Sequence, residues 1–190
     1  MRIGVLALQG AFIEHQQMLD RLGVTSFQIR NLADLHGPMD GLILPGGEST
    51  AMGKLLKDLN LYEPLKEKIQ QGLPVFGTCA GLILLSKSID DDTTSHFGLL
   101  DVHTKRNAYG RQLGSFQVNH SFDGKVIPMT FIRAPYIDAY GADFEVLATY
   151  HGKVVAGRQH NMLVTAFHPE LTRDKTVHEY FIQMIQKNYF

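Results

Sequence analysis

Short apolar runs, most of them ending at glycine and followed by a stretch with helical spacing, constrain this chain more than any other feature. Residues 2–8, 26–29, 41–44 and 74–77 read as strands, bounded by Gly, Pro and polar residues. Between them, residues 11–22 carry Phe12, Leu19 and Leu22 at helical spacing before Gly23 stops the pattern. A second helix is expected to start at Ser49 or Thr50, either of which can cap it, and to run to about Leu59. A third covers residues 62–71 and ends at Gly72, and a fourth covers residues 80–86. Apolar strands alternating with helices make an α/β fold, a mostly parallel sheet covered by helices on both faces.

The second half is richer in β signal, with strands expected at residues 99–105, 113–118, 130–132, 145–150, 154–158 and 163–167. A last helix, residues 174–187, places Val177, Phe181 and Ile185 on one stripe. The run Asp90 to Ser95 reads as a solvated loop to which no chemistry is assigned. No internal repeat and no biased linker divides the chain, so one domain spanning residues 1–190 is expected.

A chain of 190 residues buries enough surface to fold without disulfides or a structural metal. Its formal net charge of -1 points to neither nucleic acid nor an anionic membrane as partner, and Lys105-Arg106 is too short to form a basic patch. With one cysteine no internal disulfide can form, which fits a reducing cytoplasm. The opening apolar run stops at Gln9-Gly10, too early for a secretion signal. No stretch approaches the roughly 20 apolar residues of a membrane helix.

That single cysteine sits in Gly77-Thr78-Cys79-Ala80-Gly81, between an expected strand and an expected helix. This is the thiol form of a nucleophile elbow. The sharp turn strains the nucleophile's backbone, and small flanking residues let neighbouring chain pass close by. A helix N-terminus also stabilises negative charge formed beside it. Outside such a turn, a lone cysteine is usually a small buried hydrophobe.

His168-Pro169-Glu170 follows the strand at 163–167, and in extended chain residues i and i+2 face the same way. His168 can then take the thiol proton and return it to a leaving group, with Glu170 fixing its tautomer. The pattern is weak by itself among nine histidines. The other eight, His15 and His178 included, are read as ordinary surface or core residues. No metal-binding spacing accompanies them, and no cofactor is expected. Leu44-Pro45-Gly46-Gly47-Glu48 lies at the carboxyl end of an expected parallel strand, where open α/β sheets bind ligands. Backbone N–H groups of Gly47 and Ala80 are candidates for an oxyanion hole. Taken alone, Pro-Gly-Gly would be only a turn.

Together, in this order, these segments resemble the class I, triad-type glutamine amidotransferases. More narrowly, residues 41–50, 76–81, 106–112, 131–135 and 167–171, with the opening 4–10, are similar to the glutaminase subunits of pyridoxal 5′-phosphate synthase. The resemblance implies a flavodoxin-like, three-layer glutaminase fold. It implies hydrolysis of L-glutamine to glutamate and ammonia through Cys79, His168 and Glu170 and a thioester. It further implies a (β/α)₈ synthase subunit as partner in a hetero-oligomer, taking the ammonia without release to solvent. Glutamine contacts would fall on Gly46, Gly47, Glu48, Arg106, Ile132 and Arg133, with the arginine for the α-carboxylate left open. Tyr109 supplies the aromatic residue such a sequence carries between Arg106 and Gln112. A triad glutaminase serving another synthase, a non-catalytic module on the same fold and a general cysteine hydrolase remain as alternatives.

Overall fold

The computed structural model describes residues 1–90, 92–106 and 114–187. The chain opens with β1 (Arg2–Leu6), α1 (Phe12–Arg21), β2 (Thr25–Ile29), β3 (Gly41–Leu44), α2 (Ser49–Asp58), α3 (Tyr62–Gln70), β4 (Val75–Thr78) and α4 (Ala80–Leu85). It continues through β5 (Ser86–Ile89), β6 (Leu100–Lys105), β7 (Ser115–Phe122), β8 (Lys125–Ile132), β9 (Tyr136–Tyr140), β10 (Glu145–Tyr150), β11 (Lys153–Gln159), β12 (Met162–Thr165) and α5 (Thr176–Lys187). Short 3₁₀ turns occupy Leu32–Leu35 and Pro169–Leu171.

The main sheet runs β2-β1-β3-β4-β12-β11-β9-β6-β5, with β10 also on β11. From β2 to β12 every pairing is parallel, and β3, β4 and β12 are buried throughout. Beyond β12 the strands turn back on one another, antiparallel except for β5 with β6. Register decides where the site forms. Leu44 pairs with Gly77, and Val164 pairs with Gly77 from the other side, so β3, β4 and β12 end level with one another.

Helices cover both faces, and β4 shows which helix covers which. The Phe76 ring packs against His15 of α1 and against His178 and Phe181 of α5. Its neighbour Gly77 faces the opposite way, where an added Cβ would strike the Gly81 carbonyl group of α4. No helix among the described residues is long and apolar enough to cross a membrane.

Several expectations need correction. β5 was not anticipated, because it leaves α4 with no glycine or proline between them. β9 was missed too, since among its residues only Ile137 is buried. The expected strands at 113–118 and 130–132 are parts of a longer hairpin, β7–β8, with Leu113 outside the described residues. Asp123 and Gly124, both at positive φ (47° and 79°), make its turn. The cap of α2 is neither Ser49 nor Thr50. The Glu48 carboxylate reaches round to accept from the N–H groups of Thr50 (3.2 Å) and Ala51 (2.7 Å). The strand expected to reach Phe167 stops at Thr165, and residues 168–170 are not extended. Pro169, whose ring fixes φ, opens a 3₁₀ turn instead.

Candidate active site

The level ends of β3, β4 and β12 project Gly46, Cys79 and His168 toward one another, and all three line a cavity of about 530 Å³. That volume suits a small-molecule ligand. Cys79 is the junction of β4 and α4, with φ 50° and ψ -98°. A side-chain-bearing residue rarely sits there, so the turn must be held from outside. Two hydrogen bonds hold it: Cys79 N–H to the Thr165 carbonyl (2.8 Å) and Ile83 N–H to the Cys79 carbonyl (3.2 Å). Gly81 must be glycine, because an added Cβ would lie 2.1 Å from the Leu44 carbonyl oxygen.

His168 and Glu170 meet, although not by the extended geometry expected. The 3₁₀ turn brings His168 Nδ1 to 2.6 Å from Glu170 Oε1, a short bond at a site where both residues are buried. Nε2 is thereby left for the thiol. Burial opposes charge on the His168 ring, but hydrogen bonds to Cys79 and Glu170, together with the charge on both, raise its pKa to about 10. The ring is therefore imidazolium at neutral pH. Gly46 gives it room, since a Cβ there would lie 2.2 Å from His168 Cε1.

The Gly46–Gly47 peptide is held from the β1 side of the cavity. Ala11 N–H donates to the Gly46 carbonyl (2.9 Å), which turns the trans Gly47 N–H to the opposite side of that peptide. Gly10, at φ 91°, lets the chains approach, for a Cβ there would lie 1.9 Å from the Gly46 oxygen. Gln9 Oε1 accepts the Glu48 N–H at 2.7 Å.

Glu48, Arg106, Ile132 and Arg133 also line the cavity, so every residue expected at the site is brought there except Ala80, which follows Cys79, and Glu170, which holds His168 Nδ1. The Glu48 carboxylate is committed to capping α2. Arg106 donates to Ser49 Oγ (3.2 Å) and pairs with Asp92 (3.3 Å), while its Nε is buried with no partner among the described residues. The loop expected to be solvated therefore supplies a carboxylate to the site. A hydrogen bond from the Thr94 backbone, then one from its side chain, with Arg106 assisting, lowers the Asp92 pKa. Arg133 has left-handed backbone, φ 43°, anchored by its N–H to the Gly114 carbonyl (2.6 Å). The Asn107-to-Gln112 part of the sequence motif, Tyr109 included, lies outside the described residues.

Sequence reasoning passed over Gln9, Asp92, His15 and His178. His15 falls on the Phe12–Leu19 stripe of α1, and His178 lies three residues before Phe181 on α5, so an apolar helical face carrying a histidine was the available signal. Among the described residues no group of three or more His, Cys, Asp or Glu is placed to hold a metal ion.

Residues 5–187 match the SNO glutamine amidotransferase family. The pyridoxal 5′-phosphate synthase subunit PdxT of a Streptococcus pneumoniae strain is 56% identical over 191 residues, covering 98% of this chain and 98% of that protein. The subunit of the same description from Haemophilus influenzae is 55% identical over 188 residues, 97% of this chain and 98% of that protein. A crystal structure of a glutamine amidotransferase superposes with a TM-score of 0.91 at 40% identity, covering 97% of this chain and 98% of that one.

Proposed function

The chain belongs to the SNO glutamine amidotransferase family, and from that membership we propose that its Cys79, His168 and Glu170 hydrolyse L-glutamine through a thioester, for the use of a pyridoxal 5′-phosphate synthase subunit. One observation carries the chemistry: a cysteine on a strained elbow shares a cavity with a histidine whose Nδ1 is held by a buried carboxylate at 2.6 Å.

Glutamine enters the cavity with its side-chain amide over Cys79. His168 already holds the proton given up by Sγ, which attacks the amide carbon as the carbonyl electrons move onto oxygen. The N–H groups of Gly47 and Ala80 stabilise that oxyanion. Because its surroundings favour the protonated ring, His168 keeps the proton until the C–N bond breaks, then gives it to the departing nitrogen. Ammonia leaves and a glutamyl thioester remains on Cys79. Water, deprotonated by His168, attacks the thioester, and Sγ departs with its electron pair as glutamate is released, which leaves His168 holding the proton again. Arg106 or Arg133 binds the substrate α-carboxylate. Arg106 has a buried Nε with no partner among the described residues, whereas Arg133 is exposed at the cavity edge. Gly46 and Ile132 shape the wall against the substrate chain, and Glu48 contributes through its backbone.

We read residues 1–190 as one glutaminase domain acting in the cytoplasm, in a hetero-oligomer with a (β/α)₈ synthase subunit that receives the ammonia directly. An unregulated glutaminase would waste substrate, so the isolated chain is expected to be slow. The Gly46–Gly47 peptide, held by Ala11, is where we place that control. Ammonia release from glutamine, measured with and without the synthase subunit, tests the reading. Release should depend on Cys79 and rise on adding the partner. Failure of the complex to release ammonia, or full activity in Cys79→Ala, overturns it.

A further inference from the structure

Behind Glu170, away from the cavity, lies a sealed polar chain that the proposed reaction does not use. His15 Nδ1 is 2.9 Å from His178 Nε2, and His15 Nε2 is 3.1 Å from Thr78 Oγ1 and 3.6 Å from Glu170 Oε2. His15, Thr78 and His178 are all fully buried. Two atoms in the group have no hydrogen-bond partner among the described residues: Glu170 Oε2 and His178 Nδ1.

Burial forces both rings to be neutral. It lowers the His178 pKa to about 3, and it lowers that of His15 well below the ordinary value, with His178 and His168 nearby adding to the effect. Two neutral imidazoles in contact share one proton between the facing nitrogens, which leaves two arrangements. If His15 donates from Nδ1, its Nε2 is bare and turns a lone pair toward the Glu170 carboxylate. His178 Nδ1 must then carry a buried N–H with nothing to receive it. If His178 donates from Nε2, His15 Nε2 carries the proton, gives it to Thr78 Oγ1 and presents its positive end to Glu170 Oε2. The atom left over is then a bare acceptor nitrogen. The second arrangement replaces a repulsion with an attraction and removes an orphaned buried donor. At 3.6 Å the contact with Oε2 is longer than a hydrogen bond and acts as a dipole facing a charge.

We propose that His15 and His178 are positioning residues for the reaction, a neutral imidazole pair whose fixed tautomer points an N–H at the free oxygen of Glu170 and so holds that carboxylate in register with His168. Thr78 completes the device by receiving the same N–H, which ties the residue before the nucleophile to the carboxylate that orients its base. Helices α1 and α5 each contribute one ring, so the packing of two helices against the sheet is transmitted to the proton carrier. This rests on the proposed roles of Cys79, His168 and Glu170, and its tests separate the two.

Long-range ¹H–¹⁵N spectra of histidine-labelled wild-type chain report the tautomer of each ring without any substitution. His15 and His178 should both be neutral and protonated on Nε2 across pH 5 to 9, while His168 is protonated on both nitrogens. A proton on Nδ1 of His15, or charge on either buried ring at neutral pH, overturns the inference. His178→Leu and His178→Gln then test the consequence in the complex with the synthase subunit. Leucine removes the donor to His15, whereas the glutamine amide restores one close to the position of Nε2. The leucine variant should lose about tenfold in kcat with KM within about twofold, and glutamine should recover most of that loss. Its His168 resonances should also titrate at lower pH than in wild type. A folded leucine variant with unchanged kcat and unchanged His168 titration overturns the inference, and if that variant fails to fold, the wild-type spectra decide. An inactive wild-type complex would instead overturn the proposed function, and the tautomer result would stand apart from it.

Discussion

His168 and His178 are both buried imidazoles, and their surroundings drive them in opposite directions. Burial penalises charge on each. At His178 nothing opposes it, and the pKa falls to about 3. At His168 a carboxylate 2.6 Å away and the neighbouring cysteine overcome it, and the pKa rises to about 10. Depth in the protein therefore does not decide whether a histidine carries protons in this fold; the partner does. The two environments share one residue, Glu170, whose Oε1 faces His168 and whose Oε2 faces His15.

The strongest way to break this contrast is to remove the Cys79 thiol. Cys79→Ala should fold and lose essentially all glutamine hydrolysis, at least about ten-thousand-fold in kcat in the complex. Glu170→Gln comes next, because it keeps the shape but removes the charge and can present the wrong group to Nδ1. We expect kcat to fall by about a thousand- to ten-thousand-fold and the His168 pKa to drop toward the ordinary value, measured by pH–rate profile and histidine titration. Gly46→Ala acts sterically, since its Cβ would lie 2.2 Å from His168 Cε1. It should displace the ring and lower kcat by about a hundredfold, with the circular dichroism spectrum unchanged.

The smallest effect sharpens the contrast through stability. The folded-state pKa of His178 is depressed, so the unfolded chain binds more protons between about pH 3 and its ordinary pKa near 6.5. Stability should fall as pH drops through that window, and His178→Leu should flatten the dependence. The folded-state pKa of His168 is raised, so its contribution is fully present below about pH 6.5 and is lost as pH climbs toward 10. Urea midpoints across pH should show both limbs, and His168→Ala should remove the alkaline one.

Much of this was legible because it is written in short range. Each glycine-broken apolar run in the first half is a parallel strand, and Gly77 to Gly81 carry the signature of the elbow in the sequence itself. The pairing of His168 with Glu170 was also anticipated, but for the wrong reason: the residues meet through a 3₁₀ turn opened by Pro169 rather than along an extended strand. What escaped was set by long-range packing. His15 and His178 are 163 residues apart in the chain, and only the stacking of α1 and α5 over Phe76 joins them. Asp92 sits in a polar run that gives no local reason to bind Arg106. The hairpin β7–β8 had a readable Asp123-Gly124 turn, but its alternating, half-exposed strands were obscured by Pro128 and Asn119, which pair directly.

The central claim is that Cys79 becomes covalently attached to the glutamyl group of its substrate. Acid-quenched mass spectrometry of the chain, taken from a complex turning over glutamine, measures this directly. A glutamyl thioester should appear on the peptide carrying Cys79, build up in the first turnover and be absent from Cys79→Ala. Steady ammonia release at full rate, with Cys79 unmodified throughout or replaced by alanine, would contradict the account.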